Sequence, residues 1–103
     1  MELKCIIEAK RKNFYAEGLF DGKGIKVLAG SKINLEGSKS LAFAKQVSKA
    51  KNDSSIVNDG GIVLKDVYFK SASTAAQFIT GNSTNGLRAW KDIESKRPIK
   101  EFV

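Results

Sequence analysis

Residues 13 to 35, NFYAEGLFDGKGIKVLAGSKINL, decide the fold. Two arms rich in β-formers flank Asp21-Gly22-Lys23-Gly24, and the glycines offer the positive backbone dihedrals that a tight turn between antiparallel strands uses. Apolar and polar residues alternate along both arms, which is the period of a half-buried strand. The stretch therefore predicts a hairpin. Gly30-Ser31 interrupts the outgoing arm as a bulge, and Ile33 and Leu35 resume its alternation.

Upstream, LKCIIEA over residues 3 to 9 reads as a further strand, ended by the charge run Lys10-Arg11-Lys12 and by Asn13. Downstream the period changes. Leu41, Ala44 and Val47, with Phe43 and Ala50 beside them, recur at three and four residues and predict a helix capped by Ser38 or Ser40. Lys45 and Lys49 lie four apart on the opposite side, with Lys51 close behind, so this helix is expected to turn a basic face to solvent. NDSS closes it. SSIV, Asn58-Asp59-Gly60-Gly61 and IVLKDVYF then read as a second hairpin, with Lys65-Asp66 interrupting the alternation.

Ser71 or Ser73 caps a short helix, STAAQFIT, whose Ala72, Ala75 and Ala76 allow close approach to a sheet, and Gly81 is its stop. Residues 87 to 93 read as a last strand, and ESKRPIK as a turn around Pro98 leading into a tail over 94–103. The whole is a single small α+β domain over residues 1–103. It has a mostly antiparallel sheet and two short helices, in the order β-β-β-α-β-β-α-β, with no internal repeat, linker or low-complexity tract.

Composition limits the chemistry. With 103 residues, 42% hydrophobic and 28% charged, the chain supports one core of ordinary globular character. No apolar run reaches the roughly 18 residues of a membrane span, and MELKCIIEAKRK lacks the order of a signal peptide, so a cytoplasmic location without membrane contact is the expectation. Cys5 stands alone in the alternation of LKCII, which leaves no disulfide framework within the sequence and suits a buried thiol. No histidine is present. The usual zinc and redox-metal ligand sets, the Ser-His-Asp triad and Cys-His pairs are therefore out of reach.

Asp53, Asp59, Asp66, Asp92 and Glu94 fall in turns or on strand exteriors, where solvated acids belong, rather than on converging elements. Glu8-Ala9-Lys10 matches half of a nuclease metal site, but only Glu2 precedes it, and charges at a strand end explain the triplet. No Gly-x-x-x-x-Gly-Lys-Ser/Thr loop occurs. The chain reads as a protein that is not an enzyme and carries no metal or cofactor.

The net charge of +7 arises from 18 basic and 11 acidic residues, and more than half of the excess sits in residues 37 to 52, GSKSLAFAKQVSKAKN. That segment has no acid and four lysines, Lys39, Lys45, Lys49 and Lys51. Such a face can track phosphates. Lysines on the outer face of a helix also simply keep small domains soluble.

A second conspicuous block is NSTNGLRAWK, residues 82 to 91, with the chain's one tryptophan. A helix stop, an Asn-Gly turn and an emerging strand place Ser83, Thr84 and Asn85 on an exposed corner. By alternation Arg88 and Trp90 share one strand face, and Leu87, Ala89 and Lys91 the other. Trp90 either caps the core, its indole N–H bonded to a nearby carbonyl, or reads a ligand; the small size of the domain favours the core. The polar corner then makes the contact, with Ser83, Thr84, Asn85, Arg88 and Lys91 reading phosphate.

Ala16, Gly18, Gly24, Val27-Leu28 and Gly30-Ser31-Lys32, then residues 69 to 76, FKSASTAA, then residues 81 to 91, GNSTNGLRAWK, together form a larger pattern. It resembles the uncharacterised domain often appended to GIY-YIG endonuclease-like proteins, over roughly residues 14 to 92. In its closing Asn-Gly-x-x-x-Trp block it is similar to the restriction-enzyme-adenine-methylase-associated domain. Leu87 stands where that family usually has a first Trp, and Ala72 where it has Pro; the GIY and YIG motifs are absent. The resemblance implies an accessory module without the nuclease. DNA, possibly modified, would be its partner, beside a catalytic domain or protein. A protein-interaction or purely structural module is the alternative.

Overall fold

The computed structural model describes residues 2–9, 13–34, 45–82 and 84–102. Strands β1 (Leu3–Glu8), β2 (Tyr15–Phe20) and β3 (Ile25–Val27) form an antiparallel meander. The β2–β3 turn is built as its sequence predicts. One Asp21 carboxylate oxygen accepts the Lys23 and Gly24 backbone N–H groups at 2.9 and 2.8 Å, and Gly22 takes φ 99°. Gly24 serves a different purpose from the one its turn position suggests: a Cβ there would run into the Phe69 carbonyl and stand 2.5 Å from the Tyr68 hydroxyl. After Gly30, at φ 93°, the chain resumes pairing, with Lys32 bridging both Tyr15 and Ile62.

Helix α1 (Lys45–Lys51) buries Val47 and Ala50; the expected caps Ser38 and Ser40 lie outside the described residues. The second hairpin is reduced to its turn. Asn58 Oδ1 accepts from Gly60 and Ile62 N–H, and Val57 and Val63 form one isolated bridge. The interruption at Lys65-Asp66 explains why. Asp66 Oδ1 turns back to accept the Ala29 N–H at 2.9 Å, and β4 (Val67–Phe69) leaves the hairpin to pair with β3.

Helix α2 (Ala72–Thr80) starts on Ser71, whose hydroxyl accepts the Thr74 N–H at 3.0 Å, and stops at Gly81 with φ 72°. A third helix, α3 (Gly86–Ala89), replaces most of the expected last strand and leaves β5 only Lys91–Asp92. Its turn is closed by Asn85 O, which accepts from Arg88 and Ala89 N–H, and by the bond from Trp90 N–H to Gly86 O. Helical advance replaces alternation there, so the expected shared face of Arg88 and Trp90 does not form: Trp90 is fully buried and Arg88 is exposed. Residues 92 to 98 double back, and a 3-10 helix (Ile99–Phe102) sends Ile99 into the core.

The α+β class and the antiparallel sheet stand as read from the sequence; among the described residues there are three α-helices in place of two, and five strands in spatial order β4-β3-β2-β1-β5. One sheet face carries Cys5, Ile7, Ala16, Phe20, Ile25, Val27 and Phe69 into a common core with α2, where the Phe69 and Phe78 rings lie 4.9 Å apart. Burial of the larger of these side chains, Ile7, Phe20, Ile25, Val27, Phe69 and Phe78, at about 1.5–3 kcal/mol each, is what holds sheet and helices together. On the opposite face Lys4, Tyr15, Leu19, Lys26 and Tyr68 are exposed or half-buried, and Ile6, between Glu17 and Lys91, is buried. No helix among the described residues is long and apolar enough to cross a membrane.

Candidate nucleic-acid interface

The segment that follows α2 is pinned from both sides. Thr80 O accepts the amide Nδ2 of Asn34 at 2.9 Å and that of Asn82 at 3.1 Å, while the Thr80 hydroxyl accepts the Asn82 N–H and lies 3.2 Å from the Thr84 hydroxyl. Beyond this corner the Ser73 hydroxyl accepts the Gly86 N–H at 3.0 Å. A Cβ at Gly86 would run into the Ala72 backbone. The Asn-Gly pair is thus a helix start pressed against α2, not the turn into a strand that its sequence suggests. The glycine is required for close approach.

Downstream, Asp92 caps a tight loop. Its carboxylate accepts the Ser95 N–H at 2.9 Å, and Lys96 takes φ 62° at the loop's end. The Ser95 N–H and hydroxyl, then the Glu94 N–H and the nearby Lys96 charge, hold the Asp92 carboxyl below its usual range. Asp92 N–H donates to Arg97 O and Ile99 N–H to Trp90 O, which returns the chain alongside β5 and carries Lys96 toward β1.

These elements enclose a cleft of about 470 Å³ at the open edge of β1. β5 pairs only with Cys5 and Ile6, so Ile7 and Glu8 run on past it. Ile6, Ile7, Phe14 and Ala89 form the apolar part of the lining. Arg88, Lys91 and Lys96 bring three cations, with the Thr80 and Thr84 hydroxyls and the Glu8 carboxylate among them. None of the three cations forms an ion pair among the described residues. Such a site can take an anion on its guanidinium and ammonium groups and a flat apolar group on its floor.

The predicted residues divide. Thr84, Arg88 and Lys91 converge on the cleft, whereas Asn85 is exposed and spends its carbonyl on α3 without lining it. Ser83 and Lys39 lie outside the described residues, as does the side chain of Lys45, whose backbone begins α1. None of the α1 residues whose side chains are described lines the cleft. Lys49 is exposed and helps, after Ser55 and Lys65, to hold the Asp53 carboxyl below its usual range. Lys51 is half-buried, and burial lowers its ammonium pKa. Lys96 and Phe14 join the site without having been singled out, and Glu8, weighed in the sequence only as part of a metal-site triplet, joins it as a lining carboxylate. Pro98 and the Ser95 turn are the one local signal that the segment holding Lys96 folds back.

Cys5 is buried beneath Gly18, to whose carbonyl its thiol donates at 3.4 Å; burial, then the Asp92 charge, pushes the thiol up to about 12. No group of three or more His, Cys, Asp or Glu side chains is placed to hold a metal ion among the described residues.

Comparison with curated proteins and with solved structures finds no match. A family model, in contrast, matches residues 7–102, a span that takes in every cleft residue except Ile6. The chain belongs to that family, described as Domain of unknown function (DUF4357).

Proposed function

We propose that the domain is a non-catalytic nucleic-acid-binding module, with DNA as its target, that grips phosphate in the cleft between β1 and α3. The observation that carries this reading is the convergence of Arg88, Lys91 and Lys96 beside the Thr84 hydroxyl. An excess of +7 charges supports it by drawing a polyanion toward the domain, and Lys49 on α1 adds to that long-range attraction. The resemblance to domains appended to GIY-YIG endonuclease-like proteins, and to a restriction-enzyme-associated domain, supports an accessory role beside a catalytic partner in the cytoplasm. In that role the module holds DNA while the partner cuts or modifies it.

Fluorescence anisotropy of labelled duplex DNA, with and without N6-methyladenine, tests the reading at about 50 and 200 mM salt. Three phosphate contacts give a log-log salt slope of about −2 to −3. Charge reversal at Arg88 and Lys91 removes most of that slope, and reversal at Lys49 lowers affinity less. A methyl-dependent difference assigns base reading to the cleft. Absence of binding to duplex and to single-stranded DNA at low salt sinks the proposal in favour of a protein-interaction or structural module.

A further inference from the structure

We infer that the outer face of the sheet is a platform for single-stranded nucleic acid, on which Tyr15 and Tyr68 stack bases between Lys26, Lys32 and Lys91. The inference rests on the nucleic-acid reading above and extends it from the cleft to the neighbouring sheet face, fixing which form of the polymer the domain takes.

Strand register places the residues. On the outer face Tyr68 of β4 lies opposite Lys26 of β3, Lys26 opposite Leu19 of β2, and Leu19 opposite Lys4 of β1. A parallel row runs from Lys32 through Tyr15 to Glu8. Between these rows Glu17 lies opposite Ile6, and Ile6 opposite Lys91. Both tyrosines of the chain thus stand on this one face, 42% and 45% exposed, whereas Trp90, Phe69 and Phe78 are wholly buried on the other.

A single exposed ring is ordinary in a soluble protein. Two rings on one face, each directly opposite a lysine, are a different arrangement. Lys4 is engaged with Glu17 at 3.4 Å, while Lys26, Lys32 and Lys91 form no ion pair among the described residues. Cations interleaved with aromatic faces are what a flexible polyanion with exposed bases requires. A duplex keeps its bases stacked and can offer this face only its phosphates, so the rings favour the single strand.

The face is also continuous with the cleft. Glu8, directly opposite Tyr15, and Lys91 both belong to the cleft lining, so a strand leaving Tyr15 passes into it. Strand spacing and rise put the two tyrosines about 17 Å apart, a span for a few nucleotides rather than one. The Tyr68 hydroxyl donates to Asp21 at 2.8 Å, which fixes the direction of that ring.

The test is an anisotropy titration of the full chain with a labelled oligothymidylate of about 15 nucleotides and with a duplex of equal length. Wild type, Tyr15→Ala, Tyr15→Phe, Lys32→Glu and Arg88→Glu are compared, each with its melting curve. The expected result is a single-strand affinity about tenfold or more above the duplex. Tyr15→Ala weakens it roughly 5- to 150-fold, Tyr15→Phe keeps it, and duplex binding is the same in both variants. Lys32→Glu tests the face independently if Tyr15→Ala does not fold. Single-strand binding at wild-type strength in Tyr15→Ala, or in Lys32→Glu alone where Tyr15→Ala does not fold, overturns the platform. Duplex binding that is then lost in Arg88→Glu leaves the cleft reading standing. No binding of either polymer at about 50 mM salt overturns both.

Discussion

Trp90 lies over Gly18: a Cβ at residue 18 would stand 3.3 Å from the indole Cζ3 and 2.6 Å from Ile25 Cγ2. The largest side chain of the protein therefore fits into the space left by a missing one at the centre of the sheet. Its indole N–H finds no hydrogen-bond partner among the described residues, so the carbonyl that its burial leads one to expect is not supplied. Among the described residues, packing is what holds the indole.

Gly18→Ala is accordingly expected to displace Ile25 or the indole and to cost about 1–3 kcal/mol, and Trp90→Ala about 3–5 kcal/mol, in urea unfolding. Native Trp90 emission should resist acrylamide quenching and remain unchanged on addition of oligonucleotide. Emission that is readily quenched in the folded protein contradicts the core role.

Gly86→Ala drives a methyl group into the Ala72 backbone and separates α3 from the start of α2. A loss of about 1–3 kcal/mol is expected. Ser73→Ala leaves the Gly86 N–H without its acceptor and should cost about 1 kcal/mol. Because α3 carries Arg88, Gly86→Ala should also weaken any cleft-dependent binding more than its stability loss explains, measured where the variant is still folded.

Cys5 should behave as an inert apolar side chain. With its thiol pushed up to about 12, the thiolate fraction at pH 8 is on the order of 10⁻⁴, and the sulfur is fully buried. Iodoacetamide should leave the folded protein unmodified over hours and label it rapidly in denaturant. Fast labelling of native protein, judged by intact mass, counts against this placement.

Asp21 sets a pH dependence. The Gly24 and Lys23 N–H groups and the Tyr68 hydroxyl lower its carboxyl to about 2. The unfolded chain takes up the proton near the ordinary 3.8, so the folded state binds fewer protons between those values. The contribution is complete above about pH 4 and is lost as pH falls toward 2. Asp21→Asn keeps a turn-capping oxygen and lacks the charge, so its melting temperature should fall less steeply across that window than the wild type's. Parallel slopes remove Asp21 from the account.

What was legible in the chain was local. The β2–β3 turn stands on Asp21 and Gly22, neighbours in sequence, and α2 begins and ends on Ser71 and Gly81, a helix length apart. What was not legible depends on distant partners. β4 joins β3 because Asp66 bonds Ala29, and α3 exists because Ser73 and the Ala72 backbone meet Gly86. The site divides in the same way. Thr84, Arg88 and Lys91 belong to one conspicuous block, but Lys96 reaches the cleft only because Ile99 is buried and its N–H bonds Trp90 O. The outer-face rows require register across four strands, and alternation within one strand does not reveal them.

The pairing of Cys5 with Asp92 and of Ile6 with Lys91 joins residues from the two ends of the sequence. Closing that ladder carries the loop entropy of the long segment between residues 6 and 91, whereas the β2–β3 hairpin closes across a handful of residues. On a ribosome β2 and β3 can pair as soon as both are made, while the edge of β1 and the hollow above Gly18 wait for β5 and Trp90. The side chain that fills that hollow follows β1 to β4 in the chain, and truncation ahead of Trp90 leaves a sheet without its plug.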